Sequence, residues 1–349
     1  MTPGAGRKKW IALGGFALLA AAAAALAPLV GPERIEPLSA ARDWWRGPDV
    51  ADDDYWRVDV LVNIRLPRVA LALMAGAALA LVGAVFQALL RNPLATPYTL
   101  GVASGGSFGA VVAIFLVEAA PGVGFQWGPI GLVQLFAFAG SLAAIGVIWW
   151  LARAGGRLSA NEILLAGVTM GLIFSALIMA TRYLASPHQL RNMDRWLMGQ
   201  LMGAGWRELA AVAALALPAL GLLLAMARPL DQLAMGEDMA GGRGVDVARL
   251  QWRAFLIGSL AVGAVVAVAG PIGFVGLIVP HAVRRIVGPA HALMLPCTAL
   301  AGAAFLVVCD TLARSAWQGI EIPVGIVTAL LGGPFFIWLL VHGRRRGRL

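Results

Sequence analysis

Charge is what this sequence has least of. Acidic and basic residues make up 13% of it, about half of the quarter expected of a soluble globular chain. A water-soluble fold is excluded on that ground. Lysine is almost missing, with Lys8 and Lys9 the only two. A Walker A loop needs a glycine-rich turn ending in Lys-Ser or Lys-Thr, so this chain cannot bind ATP in that way. The two cysteines, Cys297 and Cys309, share one apolar segment and supply neither a disulfide framework nor metal-ligand spacing. The residue-by-residue alternation of a membrane β-barrel is also missing. Ionisable groups avoid the middles of the apolar runs: Glu118, Glu162, Asp310 and Glu321, like His188, His281, His291 and His342, fall towards segment ends. An ion-driven carrier places such groups at mid-membrane.

What the sequence has instead is hydrophobic residues, 60% of the total. They recur in runs of about twenty, the length that spans a hydrocarbon core of ~30 Å. Backbone groups in lipid must be satisfied within each segment, so the runs predict an all-α polytopic membrane protein. Ten segments are expected, at 10–30, 64–90, 98–119, 128–152, 162–185, 208–228, 252–270, a short 272–287, 291–312 and 323–342. The stretch Met1–Val30 reads as a retained first helix, its apolar run exceeding the 7–15 residues of a signal h-region. Ten crossings put both termini on one side. Placing them in the cytoplasm assigns sixteen of the 27 Lys and Arg residues to that side, in the sense of the positive-inside rule. The net charge of +9 thus punctuates membrane spans and does not cluster on a soluble domain, which speaks against a nucleic-acid partner. Residues 1–349 form one transmembrane domain, with a long external loop at 31–63 and a long cytoplasmic loop at 229–251.

The stretch from Arg65 to Gly109 is the most structured of these runs. It carries Gly76, Gly83 and Gln87, breaks at Arg91-Asn92-Pro93, turns through Thr96-Pro97 and resumes with glycine and serine. Gly105-Gly106-Ser107-Phe108-Gly109 matches G-x-S-x-G, but that nucleophile elbow needs a strand-to-helix turn, and no strand pattern flanks it. Small residues that let helices approach closely are the better reading.

These motifs carry a family resemblance. The run RLPR at 65–68, followed by GAALALVGAVFQALLRNPLATPYTLGVASG at 76–105, resembles the iron-chelate and cobalamin importer permeases. These are the membrane subunits of type II bacterial ATP-binding-cassette importers. GPIGFVGLIVPHAVRRIVGPAHALMLP at 270–296, DTLAR at 310–314 and EIPVGIVTALLGGPFFIWLL at 321–340 agree in order, and the resemblance covers roughly residues 60–342. It implies a homodimer in the bacterial inner membrane with a path along the two-fold axis. Two cytoplasmic ATPase subunits would bind ATP and Mg, leaving no cofactor in this chain, and one periplasmic binding protein would deliver the cargo. Arg65, Arg68 and Arg314 match positions that dock acidic residues of the binding protein. Gly236, Glu237, Asp238, Met239, Ala240, Gly244 and Val245 match the loop that couples to the ATPase, with Arg243 where the family usually has leucine. Ser159, Ala160 and Asn161 match the cytoplasmic gate. The external residues His188, Arg191 and Arg195 would face the cavity mouth, where they suit carboxylates of haem or an anionic siderophore; cobalamin would ask for less charge. A stand-alone secondary transporter is the reading from a different class.

Overall fold

The computed structural model describes residues 3–31, 36, 42, 45, 56–119, 126–127, 130–154, 160–317 and 319–344. Each of the ten apolar segments contains a helix. In chain order these are α1 (Pro3–Leu26), α2 (Trp56–Leu89), α3 (Val102–Ala119), α4 (Leu132–Ala154), α5 (Ala160–Tyr183), α7 (Trp206–Ala225), α10 (Val247–Ala269), α11 (Val275–Val287), α12 (His291–Ser315) and α13 (Val324–Arg344). Short helices between them include α6 (Pro187–Leu197), α8 (Ala227–Leu233) and α9 (Glu237–Gly242). Seven of the ten contain windows long and apolar enough to cross a membrane, and α3 and α13 contain shorter apolar stretches. A two-residue antiparallel pair, Gln126–Trp127 with Ile130–Gly131, precedes α4.

Local chemistry sets several boundaries. The N–H of Gln189 donates to Ser186 Oγ at 3.3 Å, and the N–H of Ser186 donates to Gln189 Oε1 at 2.7 Å, a capping box that starts α6. Asp246 accepts from the N–H of Arg249 at 3.0 Å and caps α10. Gly270 and Gly288, at φ +67° and +86°, end α10 and α11, and the prolines behind them prevent continuation. Two loops are shorter than the sequence suggests. Helix α2 starts at Trp56, inside the expected external loop 31–63, because Val58, Val60, Leu61, Val62 and Ile64 extend its apolar surface outward. The rest of that loop falls mostly outside the described residues. The cytoplasmic loop 229–251 is largely helical, holding most of α8, all of α9 and the first turn of α10.

Helix α2 is the axis of the fold, with Leu71, Ala72, Ala75, Ala78, Ala80 and Leu81 all fully buried. Lipid tails are as apolar as leucine, so close packing and not water expulsion holds such helices together. Gly76 lies against the backbone of Gly302 in α12, and Gly83 against Gly276 in α11; a Cβ at either glycine would collide with a carbonyl oxygen. Gln87 donates to the carbonyl of Gly276 at 3.1 Å, which gives this buried amide a partner. Phe86 meets Phe255 of α10 with 5.1 Å between ring centroids and covers Gly258. These contacts place α10 and α12 antiparallel to α2, and so parallel to each other. The chain between them must therefore cross back. At about 1.5 Å per residue, the 13 residues of α11 are too short for this alone. Segment 271–274 supplies the other half. Its backbone is covered by protein, as irregular chain at membrane depth must be: Ile272 is buried, the N–H of Gln200 donates to Ala269 O at 2.8 Å, and Gly199 and Gly325 lie against Pro271.

Ser107 lies inside α3 and is buried, while Gly105, Gly106 and Gly109 abut Phe136, Ala137, Gly140 and Ser141 of α4. The G-x-S-x-G match is a helix-packing face.

Candidate functional sites

The crossings alternate, so the sites sort by side. Arg65 bonds Pro28, Trp206 bonds Val62 and Gln189 bonds Phe115 at one end of the helices. Arg91 pairs with Glu237 and His291 with Asp231 at the other. With the termini cytoplasmic, the first group is external.

At the external end the structure brings Arg65, Arg68 and Arg314 together, as the resemblance implies, but below the surface. Arg68 is 6% exposed and Asp310 only 1%. The Arg68 guanidinium donates to both Asp310 oxygens at 3.0–3.1 Å and through Nη1 to Glu321 Oε2 at 2.7 Å. Arg314 donates to the carbonyl of Ala27, and its Nε lies 4.0 Å from Asp310 Oδ2. Arg65 donates to the carbonyl of Pro28 at 2.9 Å. Positions expected at an exposed docking rim are thus members of an internal ion cluster joining α1, α2, α12 and the segment before α13. Buried guanidinium groups need such partners, because an uncompensated buried charge costs several kcal/mol. The side chain of Glu321, 30% exposed, is the cluster's most accessible charge among the described residues. Asp310 and Glu321 were legible only as carboxylates near span ends; the i,i+4 spacing of Asp310 and Arg314 in DTLAR was the available signal.

At the cytoplasmic end, Gly236 at φ +128° and Gly244 at φ +86° bracket α9. Glu237, Asp238 and Met239 are exposed, and Ala240 is buried. The carbonyl of Ala240 accepts from both Arg243 and Val245, which folds the loop back on itself. Arg243 is exposed, with Nη1 3.1 Å from the sulfur of Met235. The loop is a small protruding element with carboxylates, a methionine and an arginine on its free surface.

Between the two ends runs α5. Ser159 lies outside the described residues; Ala160 starts the helix and Asn161 is exposed in its first turn. Leu165, Val168, Leu172, Met179 and Tyr183 leave one side of α5 uncovered along its whole length. An Arg182–Asp194 ion pair ties the far end of α5 to α6. There His188, Arg191 and Arg195 share the exposed face, opposite the buried Gln189 and Met193. Arg195, Asn192 and Trp196 line a cavity of about 520 Å³, bounded also by Ile114, Val133 and Gln200.

A predominantly helical chain with a buried core helix, an irregular segment at membrane depth and an exposed cytoplasmic loop has the build of a multi-pass membrane protein. The chain belongs to the FecCD transport family, which it matches over residues 16–342, and it is an ABC importer permease of that family. It is 40% identical to the hemin transport system permease protein HmuU of Yersinia pestis over 301 residues, 84% of this chain and 86% of that protein. It is 44% identical to the cobalamin import system permease protein BtuC of Halobacterium salinarum over 283 residues, 80% of this chain and 73% of that protein. A solved metal-chelate type ABC transporter in an inward-facing conformation superposes with a TM-score of 0.79 at 30% identity, covering 95% of this chain and 98% of that one.

Proposed function

We propose that the chain is the membrane subunit of an ATP-driven importer for iron complexes, either ferric siderophore or haem. It works as a homodimer in the bacterial inner membrane by alternating access. Two cytoplasmic ATPase subunits bind ATP and Mg and act on Gly236–Ala240, Gly244 and Val245. One periplasmic binding protein delivers cargo at the external end. The observation that carries this reading is α5, one helix uncovered along one side that starts at the gate residues Ala160 and Asn161 and leads to the cationic face of α6. Two copies facing each other through α5 would enclose a path with a gate at one end and His188, Arg191 and Arg195 at the other.

Those three side chains favour a cargo bearing carboxylates, and so an iron complex over cobalamin, the second reading within the family. The ligand that the cognate binding protein retains on purification separates the two. Docking at Arg65, Arg68 and Arg314 stays part of the proposal in altered form. A carboxylate of the binding protein can reach Arg68 only by taking the place of Glu321.

A further inference from the structure

We infer that Asp231 fastens the coupling loop to the cytoplasmic end of α12, making α12 the rod that links the ATPase side of the subunit to its external ion cluster. The inference rests on the proposed ATPase contact of the loop and adds the route by which that contact is felt.

Helix α12 begins at His291 behind Ala290, which has no side-chain group to cap it. The first N–H groups of a helix are unsatisfied and carry the positive end of its dipole. Asp231, sixty residues earlier on α8, supplies the missing group: the backbone N–H of His291 donates to Asp231 Oδ1 at 2.9 Å. The His291 ring lies on the same oxygen, with Nδ1 at 2.7 Å, which makes Nδ1 the protonated nitrogen of that contact. The His291 side chain is only 7% exposed. Beneath the pair, Leu230 and Leu233 of α8 and Met294 and Leu295 of α12 are fully buried in one core cluster. The two helices are therefore held by polar and apolar contacts at once.

Other ties of the loop are weaker. Arg91 and Glu237 are 4.0 Å apart with side chains 44% and 57% exposed, a pair of the kind that contributes little. Asp246 caps only the helix that follows it. The far end of α12, by contrast, is a hub. Asp310 holds Arg68 of α2, Arg314 holds the carbonyl of Ala27 after α1, and the Ala313 carbonyl accepts from the N–H of Ile322 just before α13. With 25 residues, α12 is about 37 Å long and reaches from one site to the other. Movement of α8 would be passed along α12 to that end, through the turn that holds Pro296.

The test uses the whole complex, with cognate ATPase and loaded binding protein, in proteoliposomes. It compares wild type, Asp231→Ala and Asp231→Asn. The readouts are cargo moved per ATP hydrolysed and the ratio of hydrolysis with and without binding protein. Asp231→Ala is expected to lower both ratios at least about fivefold, the lower range of inter-site coupling. Asp231→Asn, which keeps an acceptor oxygen for the His291 N–H, is expected to retain most of each. Wild-type ratios in Asp231→Ala would overturn the inference. Should Asp231→Ala not assemble, His291→Pro serves in its place: it leaves α8 intact, removes both the backbone N–H and the ring that meet Asp231, and suits the first position of a helix; lowered ratios support the link, and unchanged ratios overturn it. A wild-type complex that shows no response to binding protein would count against the proposed function itself, a result distinct from either.

Discussion

At the scale of single residues, the external ion cluster shows how burial changes what an arginine can do. Arg68 holds Asp310, which is 1% exposed. Removing one partner of a buried pair strands the other, at a cost of about 3–5 kcal/mol, whereas apolar replacement of both is often close to neutral. Arg68→Ala is therefore expected to lower the melting temperature in detergent sharply, and Arg68→Met combined with Asp310→Leu to recover part of the loss, the rest staying with Arg314, which then lacks its carboxylate. A double variant as unstable as the single one would refute the clamp. Glu321 is partly exposed, so Glu321→Gln is expected to change stability by less than about 1 kcal/mol. It also frees one side of Arg68, and binding-protein affinity measured on immobilised permease is expected to rise; unchanged affinity would separate Arg68 from docking. None of these pairings was readable in sequence. Arg68 and Asp310 are 242 positions apart, and a charged residue near a span end looks the same whether it snorkels to water or turns inward. The RLPR and DTLAR motifs marked these arginines; only three-dimensional packing shows that the guanidinium groups of Arg68 and Arg314 turn inward.

At the scale of elements, small residues decide which helices touch. A Cβ at Gly76 has no room beside Gly302, while one at Gly221 meets nothing within 4 Å. Gly76→Ala is expected to destabilise by about 1–3 kcal/mol through overpacking. Gly221→Ala in α7 is expected to be neutral or stabilising by up to about 1 kcal/mol, from helix propensity. Equal melting temperatures for the two variants would contradict the packing described. The ten segments were legible because runs of about twenty apolar residues are the strongest signal a sequence carries. The start of α2 at Trp56 was not, since Arg57, Asp59 and Asn63 interrupt the apolar run without interrupting the helix. The half-length of α11 was announced by Gly270-Pro271 and Gly288-Pro289, but not the depth at which it begins. That depth follows from Gly276 lying against Gly83, well down α2.

At the scale of the whole molecule, the proposed function has one subunit meet other chains at three separate places: the cytoplasmic loop, the uncovered side of α5 and the external end above the buried ion cluster. In the proposed dimer, the Asn161 positions of the two copies approach at the gate. Cys297 and Cys309 are buried, so Asn161→Cys can be tested with a bifunctional thiol reagent against little background. Cross-linking between copies that changes when ATP binds is expected, and its absence in every nucleotide state would remove Asn161 from the gate. The central claim is that this chain moves cargo only when a separate ATPase drives it. The measurement that tests it most directly is uptake of a labelled iron complex by proteoliposomes holding the permease, its ATPase and the loaded binding protein. Uptake is expected to require ATP and to stop when the ATPase is made catalytically inactive; uptake that continues with the inactive ATPase would contradict the account.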